Sequence, residues 1–484
     1  MRQLTAVDAN FLNVETGTMP THIAGVGILD PASCPGGRLT AGQVIDLVRE
    51  RAHLAARPLR RRLVAVPLGL DRPYWEDDPD FDPARHVFEV GLPSPGTVAQ
   101  LADVVAMLHE RPLDRHRPLW ELVLIQGLEG GRTAVYIKVH HAAVDGVLAA
   151  ETLAALLDIS PEPRDLPPDD VPLQQAPTMA GRVGAGLLRA AVQPLRGARM
   201  LARTAPYLDE VPGLAQLPGV GSFARALQGA LGRDGVPPVP RTVAPPTPFN
   251  GTIGSRRAVA FGALPLDEVK RIRASLGGSV NDVVMSLVAA AVRRWLDKRG
   301  ALPDQPLVAA VPVSLRRRRT AEAAAQAGNQ VSAMVTPLAT HLDDPAERFE
   351  TVRGDMSAAK RRFAQSSGGW LEGLSELLPT PLAGPLLRLA LQAVPGEHVR
   401  PINLMVSNVP GPTFPLYLRG ARVLGYFPIS VVSDFTGGLN ITVLSYDGRL
   451  DIGIVTCRTM IPDPWELIDY LDDALEELKG LIEP

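Results

Sequence analysis

Short apolar runs and longer segments with helical period alternate through the first third of the chain. The runs at 120–125 and 133–140 are rich in Val, Ile, Tyr and Thr, and three glycines lie between them. Two such runs joined by a glycine-containing loop predict a β-hairpin. Helical period at 40–54 and 98–108 predicts two helices before this hairpin. We therefore expect residues 1–165 to form one mixed α/β lobe.

The composition changes in residues 166–250, where prolines cluster at both ends. Proline lacks an amide donor and fixes φ, so such clusters are typical of extended connectors. Between the clusters, arginines recur every seven residues, a spacing that places them on one face of a helix. They are Arg182, Arg189, Arg196 and Arg203. This segment is predicted to be a Pro-rich, Arg-containing helical connector.

A second α/β pattern occupies residues 251–484. A strand-like run at 256–261 precedes helical period at 280–296. Two alternating runs flank Asp447-Gly448, a dipeptide that favours a two-residue hairpin turn. The chain ends with a predicted helix whose capping residues would be Asp463, Pro464 and Glu466.

Composition narrows the functional classes. The chain has 484 residues, of which 46% are hydrophobic and 21% charged, and its net charge of -3 gives no general attraction to nucleic acid. Cys34 and Cys457 are too few for a disulfide scaffold or a thiolate zinc site. No apolar stretch reaches the roughly 20 residues of a spanning helix, and the N-terminus lacks a secretory apolar core. We expect a cytoplasmic protein without nucleic-acid partners.

The candidate chemistry lies in the run 140–146, which reads His-His-Ala-Ala-Val-Asp-Gly. A strand-end histidine can remove a hydroxyl proton when neighbouring groups fix its ring. Asp145 can hold the loop through hydrogen bonds, and Gly146 permits a tight turn into the next helix. Ordinary strand-end histidines are one alternative. Metal binding is another, but adjacent strand residues point to opposite faces and no third histidine follows at ligand spacing.

The same run resembles the HHxxxDG signature of the CoA-dependent acyltransferase superfamily. Its flanks resemble one branch, the bacterial wax ester synthase/diacylglycerol acyltransferase family, over nearly the whole chain. The blocks that carry this resemblance, in order, are 4–12, 112–115, 118–121, 280–284, 311–316, 328–330 and 407–412.

The resemblance implies a fold in the α/β class with mixed sheets, two chloramphenicol-acetyltransferase-like lobes and a central tunnel. It implies that His141, the second histidine of the motif, is the general base. His140, Asp145 and Gly146 would be supporting residues of the motif. Asn281 is implied to contact the substrate or the oxyanion, and the alternative is that Asn281 only caps a helix.

Four further residues are tentative substrate contacts: Trp120, Ser407, Asn408 and Gly411. Trp120 can instead pack the lobe, and the Pro-Gly-Pro sequence around Gly411 can be a plain turn. Residues 433–437 lie where related branches carry an Asp-Phe-Gly segment. Thr436 replaces that glycine, so a structural turn is predicted there.

The implied function is transfer of a long-chain fatty acyl group from acyl-CoA to diacylglycerol, to a long-chain alcohol, or to both. Acyl-CoA would be a substrate, and no cofactor or metal is implied. The alternatives are an acyltransferase for another hydroxyl or amine, and a non-catalytic protein of lipid droplets. The arginine stripe adds the hypothesis of peripheral docking on the inner membrane face or on lipid inclusions, with a solvated helix face as its alternative.

Overall fold

Helices and strands alternate along the chain in the mixed α/β pattern that the sequence predicts. The computed structural model describes residues 2–144, 146–170, 172–206, 219–230, 244–314, 331–365 and 402–482. The helices are α1 (Ala6–Val14), α2 (Ala41–Arg51), α3 (Ala56–Arg60), α4 (Val98–His109), α5 (Gly146–Leu156), α6 (Met179–Thr204), α7 (Val220–Ala230), α8 (Leu266–Leu276), α9 (Val280–Asp297), α10 (Pro345–Gln365) and α11 (Trp465–Gly480). The strands are β1 (Arg2–Gln3), β2 (His22–Asp30), β3 (Arg61–Val64), β4 (Tyr74–Asp77), β5 (Val87–Gly91), β6 (Trp120–Leu128), β7 (Arg132–His140), β8 (Arg257–Pro265), β9 (Leu307–Ser314), β10 (Val331–Leu338), β11 (Leu404–Val409), β12 (Tyr417–Leu418), β13 (Ala421–Ile429), β14 (Leu439–Tyr446) and β15 (Arg449–Cys457).

The first lobe is built on a six-stranded sheet with the order β12-β13-β2-β7-β6-β5. β6 and β7 pair antiparallel, which confirms the predicted hairpin. Its loop residues enter the positive-φ region that glycine adopts without steric penalty. They are Gly127, Gly130 and Gly131. On the other side of β7 lies β2, where His22 pairs with His140.

The second lobe is built on a six-stranded sheet with the order β10-β9-β11-β14-β15-β8. β14 and β15 form the predicted hairpin, with φ of 41° at Asp447 and 81° at Gly448. Positive φ at both central residues is what a type I′ turn requires, and this explains why the dipeptide predicts it. Residues 283–292 of α9 are all buried and form much of this lobe's core.

Strands from the second half of the chain lie in both six-stranded sheets. β12 and β13 lie in the first sheet, although the sequence pattern assigns all of residues 251–484 to the second lobe. β13 pairs antiparallel with β2 along most of its length. The first sheet is therefore completed by strands that lie almost 400 residues after β2 in the chain.

β13 also contacts the second sheet directly. The Tyr426 amide donates to Asp451 Oδ2 on β15 at 2.7 Å. Burial raises the pKa of Asp451 to about 6, although the Tyr426 amide and Arg449 favour the ionised form. A Cβ at Gly453 would lie 1.8 Å from the Pro428 carbonyl oxygen, so only glycine permits this approach. The lobes are thus joined through backbone as well as side chains.

The connector helix α6 turns part of its arginine stripe toward the first lobe. Arg189 forms an ion pair with buried Asp71 and donates to Tyr74 Oη at 3.0 Å. Four leucines of the helix are exposed, between 50% and 72%, at Leu187, Leu188, Leu195 and Leu201, and Arg199 is exposed as well. The expectation that these arginines form an outward-facing stripe is therefore wrong for Arg189, which faces the first lobe. The side chains at 196 and 203 lie outside the described residues.

The last helix departs from its predicted cap. α11 begins at Trp465, whose amide donates to Asp463 Oδ1 at 3.0 Å. Glu466 does not complete a capping box. Its carboxylate accepts hydrogen bonds at 2.7 and 2.6 Å from two cations at the end of α9, Lys298 and Arg299. The Glu466 side chain therefore forms tertiary ion pairs and does not contribute to the helix cap that the local sequence predicts.

Within the described parts of the chain, no single helix combines the length and apolarity needed to cross a bilayer. α8 and α9 meet that criterion only as a pair bent by 102°. Most of α9 is already buried against the second sheet.

A buried polar cluster lies between β7 and α4. His22 Nε2 donates to the His109 carbonyl at 2.8 Å, and His109 Nε2 donates to the Ser430 carbonyl at 3.1 Å. The Tyr136 hydroxyl donates to His109 Nδ1 at 2.9 Å. Burial lowers the pKa of His109 to about 3, although its bond to Ser430 favours the charged form. The cluster therefore holds His109 neutral where α4 meets β13.

We expect acid to destabilise the fold through His109. Its folded-state pKa of about 3 lies below the ordinary histidine pKa of 6.5, so between these values only the unfolded chain binds the proton. This contribution is fully present above pH 6.5 and is lost as the pH falls toward 3, with a slope of about 1.4 kcal/mol per pH unit. Urea unfolding of His109→Gln across this range should show a flatter pH dependence. The exposed control His341→Gln should keep the wild-type slope, and an unchanged slope in His109→Gln would contradict the assignment.

Candidate active site

The two histidines of the motif lie at the end of β7, in a tight turn. β7 ends at His140, and the Ala143 amide donates to the His140 carbonyl at 2.9 Å. Ala142, Ala143 and Val144 are buried, which fixes the turn against the core. α5 begins at Gly146, as the motif predicts. Asp145 lies outside the described residues, so its role as organiser of the loop stays a prediction.

His140 is buried, and both of its ring nitrogens are engaged inside the protein. The Ala142 amide donates to Nδ1 at 3.0 Å, so Nδ1 is the acceptor and Nε2 is the donor of the ring. That Nε2 lies 3.1 Å from Thr21 Oγ1, whose own hydrogen is donated to the Phe11 carbonyl at 2.8 Å. His140 therefore donates to Thr21, and its tautomer is set by the network.

A carboxylate extends this network to the surface. Glu15 accepts from the Thr21 amide at 3.1 Å and lies 3.5 Å from His140 Nε2. Arg115 binds the same carboxylate at 2.5 Å and donates to the Leu12 carbonyl at 2.8 Å. Burial raises the pKa of Glu15, but His140, Arg115 and the Thr21 amide outweigh it and lower the pKa to about 2. Glu15 is therefore ionised and holds α1 against the histidine turn.

His141 is only partly buried, in contrast to His140. Its amide donates to the Thr21 carbonyl at 2.9 Å. Its ring stacks on Phe11, with centroids 4.1 Å apart and planes within 5° of each other. His141 is therefore the motif histidine that is both open to a reactant and held in one plane.

Asn281 does not cap α9. The cap is Ser279, which forms a reciprocal capping box with Asp282. Asn281 occupies the second helical position, where its side chain is not needed for the cap. Its Oδ1 lies 3.4 Å from Asn408 Nδ2 on β11, and both side chains are half-buried. The structure thus brings together two of the predicted site residues from separate blocks.

The remaining tentative contacts have different surroundings. Ser407 is half-buried on β11, paired in register with Thr442 of β14. The Gly411 amide donates to Ser445 Oγ at 3.0 Å, and a Cβ at this glycine would lie 2.3 Å from the Ser445 carbonyl oxygen. The absence of a side chain at Gly411 therefore allows the main chain to approach β14.

Trp120 has the surroundings of a packing residue. Its side chain is 1% exposed, its indole donates to the Leu59 carbonyl at 3.0 Å, and its ring stacks on His86. Trp120 therefore packs the core of the first lobe, as the alternative interpretation predicts. Asp434 accepts from the Ile253 amide at 2.7 Å, which makes it part of a structural turn.

No cluster of three or more His, Cys, Asp or Glu side chains suited to a metal ion occurs in the described ranges. The tunnel that the resemblance implies stays a prediction.

Four residues around the histidine turn were not singled out by sequence reasoning: Phe11, Glu15, Thr21 and Arg115. Phe11 and Arg115 lie in blocks 4–12 and 112–115, so the family resemblance marked their segments but implied no role for either residue. Glu15 and Thr21 carried no signal, because their partners are distant in sequence and only the folded chain brings them together.

Two family profiles match the chain. The profile described as the wax ester synthase/diacylglycerol acyltransferase catalytic domain matches residues 4–284. The profile of the C-terminal domain of the same family matches residues 327–479. These ranges include every predicted site residue: the histidine turn and Asn281 in the first, and β11 in the second.

Individual proteins extend this comparison. The probable diacylglycerol O-acyltransferase tgs2 of Mycobacterium tuberculosis is 35% identical over 489 residues, covering 98% of each chain. The structure of a wax ester synthase/diacylglycerol acyltransferase from Marinobacter aquaeolei VT8 aligns with a TM-score of 0.69 at 28% identity, covering 100% of both chains. The first condensation domain of the calcium-dependent antibiotic synthetase aligns over 99% of this chain and 96% of its own, with a TM-score of 0.56 at 18% identity. That last likeness extends to the fold alone, and it confirms the two-lobed class.

We expect Glu15→Gln to lose stability at neutral pH. Because the folded-state pKa of about 2 lies below the ordinary glutamate pKa of 4.5, the carboxylate stabilises the fold above pH 4.5, and this contribution is lost as the pH falls through 2. The shift corresponds to a loss on the order of 3 kcal/mol in the variant, measured by urea unfolding at pH 7.

The exposed acid Glu129 supplies the matched control, and Glu129→Gln should unfold like the wild type. Equal stability of Glu15→Gln and the wild type at pH 7 would refute the role given to this carboxylate.

Proposed function

The chain belongs to the wax ester synthase/diacylglycerol acyltransferase family, and on that premise we propose that His141 is the general base of its acyl transfer. The enzyme is an acyl-CoA-dependent acyltransferase whose acceptor is diacylglycerol or an alcohol. One observation supports the choice of His141 over His140. His140 is 1% exposed with both ring nitrogens engaged, whereas His141 is partly exposed and its ring is stacked on Phe11.

In the proposed step, His141 removes the acceptor's hydroxyl proton while the hydroxyl oxygen bonds to the thioester carbonyl carbon. The negative charge of the tetrahedral intermediate lies on the former carbonyl oxygen. When the intermediate collapses, the C–S bond breaks and the CoA thiolate leaves with the electron pair. The imidazolium of His141 then returns the proton to the sulfur. The step uses no acyl-enzyme and no cofactor.

The oxyanion of this intermediate needs a donor, and we assign that role to Asn281. Its Oδ1 accepts from Asn408 Nδ2, and its own amide nitrogen is the donor that we assign to the oxyanion. The position is also suitable because Ser279 and Asp282 already cap α9. A preorganised donor of this kind commonly contributes about 2.7 to 4 kcal/mol to the transition state.

The acceptor is proposed to be diacylglycerol, a long-chain alcohol, or both. The name of the tuberculosis relative includes diacylglycerol, and the name of the Marinobacter enzyme includes both diacylglycerol and wax ester synthesis. The sequence leaves open another hydroxyl or amine acceptor and a non-catalytic protein of lipid droplets. Membership of the family favours catalysis over the droplet protein, and the histidine motif at the end of β7 agrees with it.

We expect His141→Ala to lose about 10²- to 10⁴-fold in kcat, the usual contribution of a general base. The measurement follows release of free CoA and formation of the ester from palmitoyl-CoA with either diacylglycerol or hexadecanol. His341→Ala, at an exposed histidine, is the matched control and should keep wild-type turnover.

Wild-type activity in a folded His141→Ala would rule out the mechanism. A wild-type protein that turns over neither acceptor would instead favour the other acceptor classes or the droplet protein.

We further propose that α6 docks the enzyme on a lipid surface, because its substrates partition there. The outward side of this helix carries exposed leucines, and Leu188 and Leu195 are 72% and 67% exposed. The helix carries five arginines and no acidic residue, which suits an anionic surface. Since Arg189 is bound to Asp71, the leucines and not this arginine would enter the lipid.

The double variant Leu188→Gln/Leu195→Gln should reduce co-sedimentation with phosphatidylglycerol-containing vesicles by at least about tenfold, because each buried leucine contributes about 1.5–3 kcal/mol. The control, Met107→Gln/Phe414→Gln, removes two apolar side chains that are 53% and 47% exposed elsewhere. Unchanged binding in the α6 variant, or an equal loss in the control, would show that this face is not the docking surface.

A further inference from the structure

The C-terminal half of α1 contacts the histidine turn although the two lie more than 100 residues apart in the chain. The Phe11 ring stacks on His141, and the Phe11 carbonyl accepts from Thr21 Oγ1. Glu15, just after the helix, binds the Thr21 amide and lies beside His140. α1 therefore meets both histidines, one through a ring and the other through a carboxylate.

The stack with Phe11 restricts the ring of His141. Two aromatic planes 4.1 Å apart and within 5° of parallel leave no room for either ring to turn about its Cβ–Cγ bond without separation of the pair. The main chain of His141 is fixed as well, because its amide is bonded to the Thr21 carbonyl. Phe11 thus restrains the plane of the imidazole, which the bond of the His141 amide to Thr21 does not do by itself.

Phe11 is itself held firmly. α1 begins with a reciprocal capping box between Thr5 and Asp8, and Leu12 is buried in the first lobe's core. Arg115 ties the other end of the helix by donating to the Leu12 carbonyl at 2.8 Å. A side chain on such a supported helix can hold its neighbour to the narrow tolerance that catalysis needs.

We propose that Phe11 is a positioning residue for the base, acting through His141 and not on the substrate. This inference rests on the proposed role of His141. A base that leaves its productive plane still allows acyl-CoA to bind, so loss of the stack lowers kcat and leaves KM for acyl-CoA nearly unchanged. A displacement of about 1 Å at a reacting group costs on the order of 10²-fold in rate, which bounds the expected effect.

The test compares three variants at position 11 in the full chain, with palmitoyl-CoA and hexadecanol as substrates. Phe11→Leu and Phe11→Met keep apolar volume without a flat ring, and each should lower kcat by about tenfold or more with KM changed less than about twofold. Phe11→Tyr keeps the ring and should restore kcat to within about threefold of wild type. The methionine variant decides the outcome if the leucine variant does not fold, because its flexible side chain fills irregular space.

Phe81→Leu is the matched control. Phe81 also contacts a histidine of the first lobe, His86, with ring centroids 5.9 Å apart, but it does not touch the histidine turn. Its kcat should equal that of the wild type after folding is verified by thermal unfolding.

The proposal is overturned if Phe11→Met keeps wild-type kcat, if Phe11→Tyr falls as far as Phe11→Met, or if KM rises in step with the loss of kcat. Failure of the underlying function has a different signature. In that case His141→Ala stays active in the same assay, whatever the variants at position 11 do.

Discussion

The pairing of β2 with β7 on one side and β13 on the other is the constraint on which the site depends. Thr21 immediately precedes β2, and its amide, hydroxyl and carbonyl bind Glu15, His140 and His141 in turn. Because β2 is held on both edges, Thr21 has one position relative to the end of β7. The orientation of the His140 ring and the position of the His141 main chain follow from that position.

The two adjacent histidines have different roles because their surroundings differ. His140 is buried, so each ring nitrogen needs a partner, and Ala142 and Thr21 supply them. A histidine satisfied in this way stabilises the turn but is not free to exchange protons with a substrate. His141 is partly exposed, and its ring is oriented by stacking on Phe11.

β13 links this arrangement to the second lobe. It pairs with β2 and, through Tyr426 and Asp451, contacts β15. β14, the neighbour of β15, also pairs with β11, which carries Asn408 opposite Asn281. The histidine turn and the asparagine pair therefore lie on two separate sheets, which the contact between β13 and β15 links.

The sequence by itself determined the features that depend on local chemistry. The hairpin at Asp447-Gly448 follows from residues that tolerate positive φ, and the motif at 140–146 marks the strand end and the start of α5. Only the tertiary structure decided that β13 joins the first sheet, that Arg189 turns inward to Asp71, and that Phe11 stacks on His141. Each of these contacts joins residues more than 100 positions apart. Periodicity and turn chemistry act over a few residues and carry no information about such partners, whereas burial and strand pairing select them when the whole chain packs.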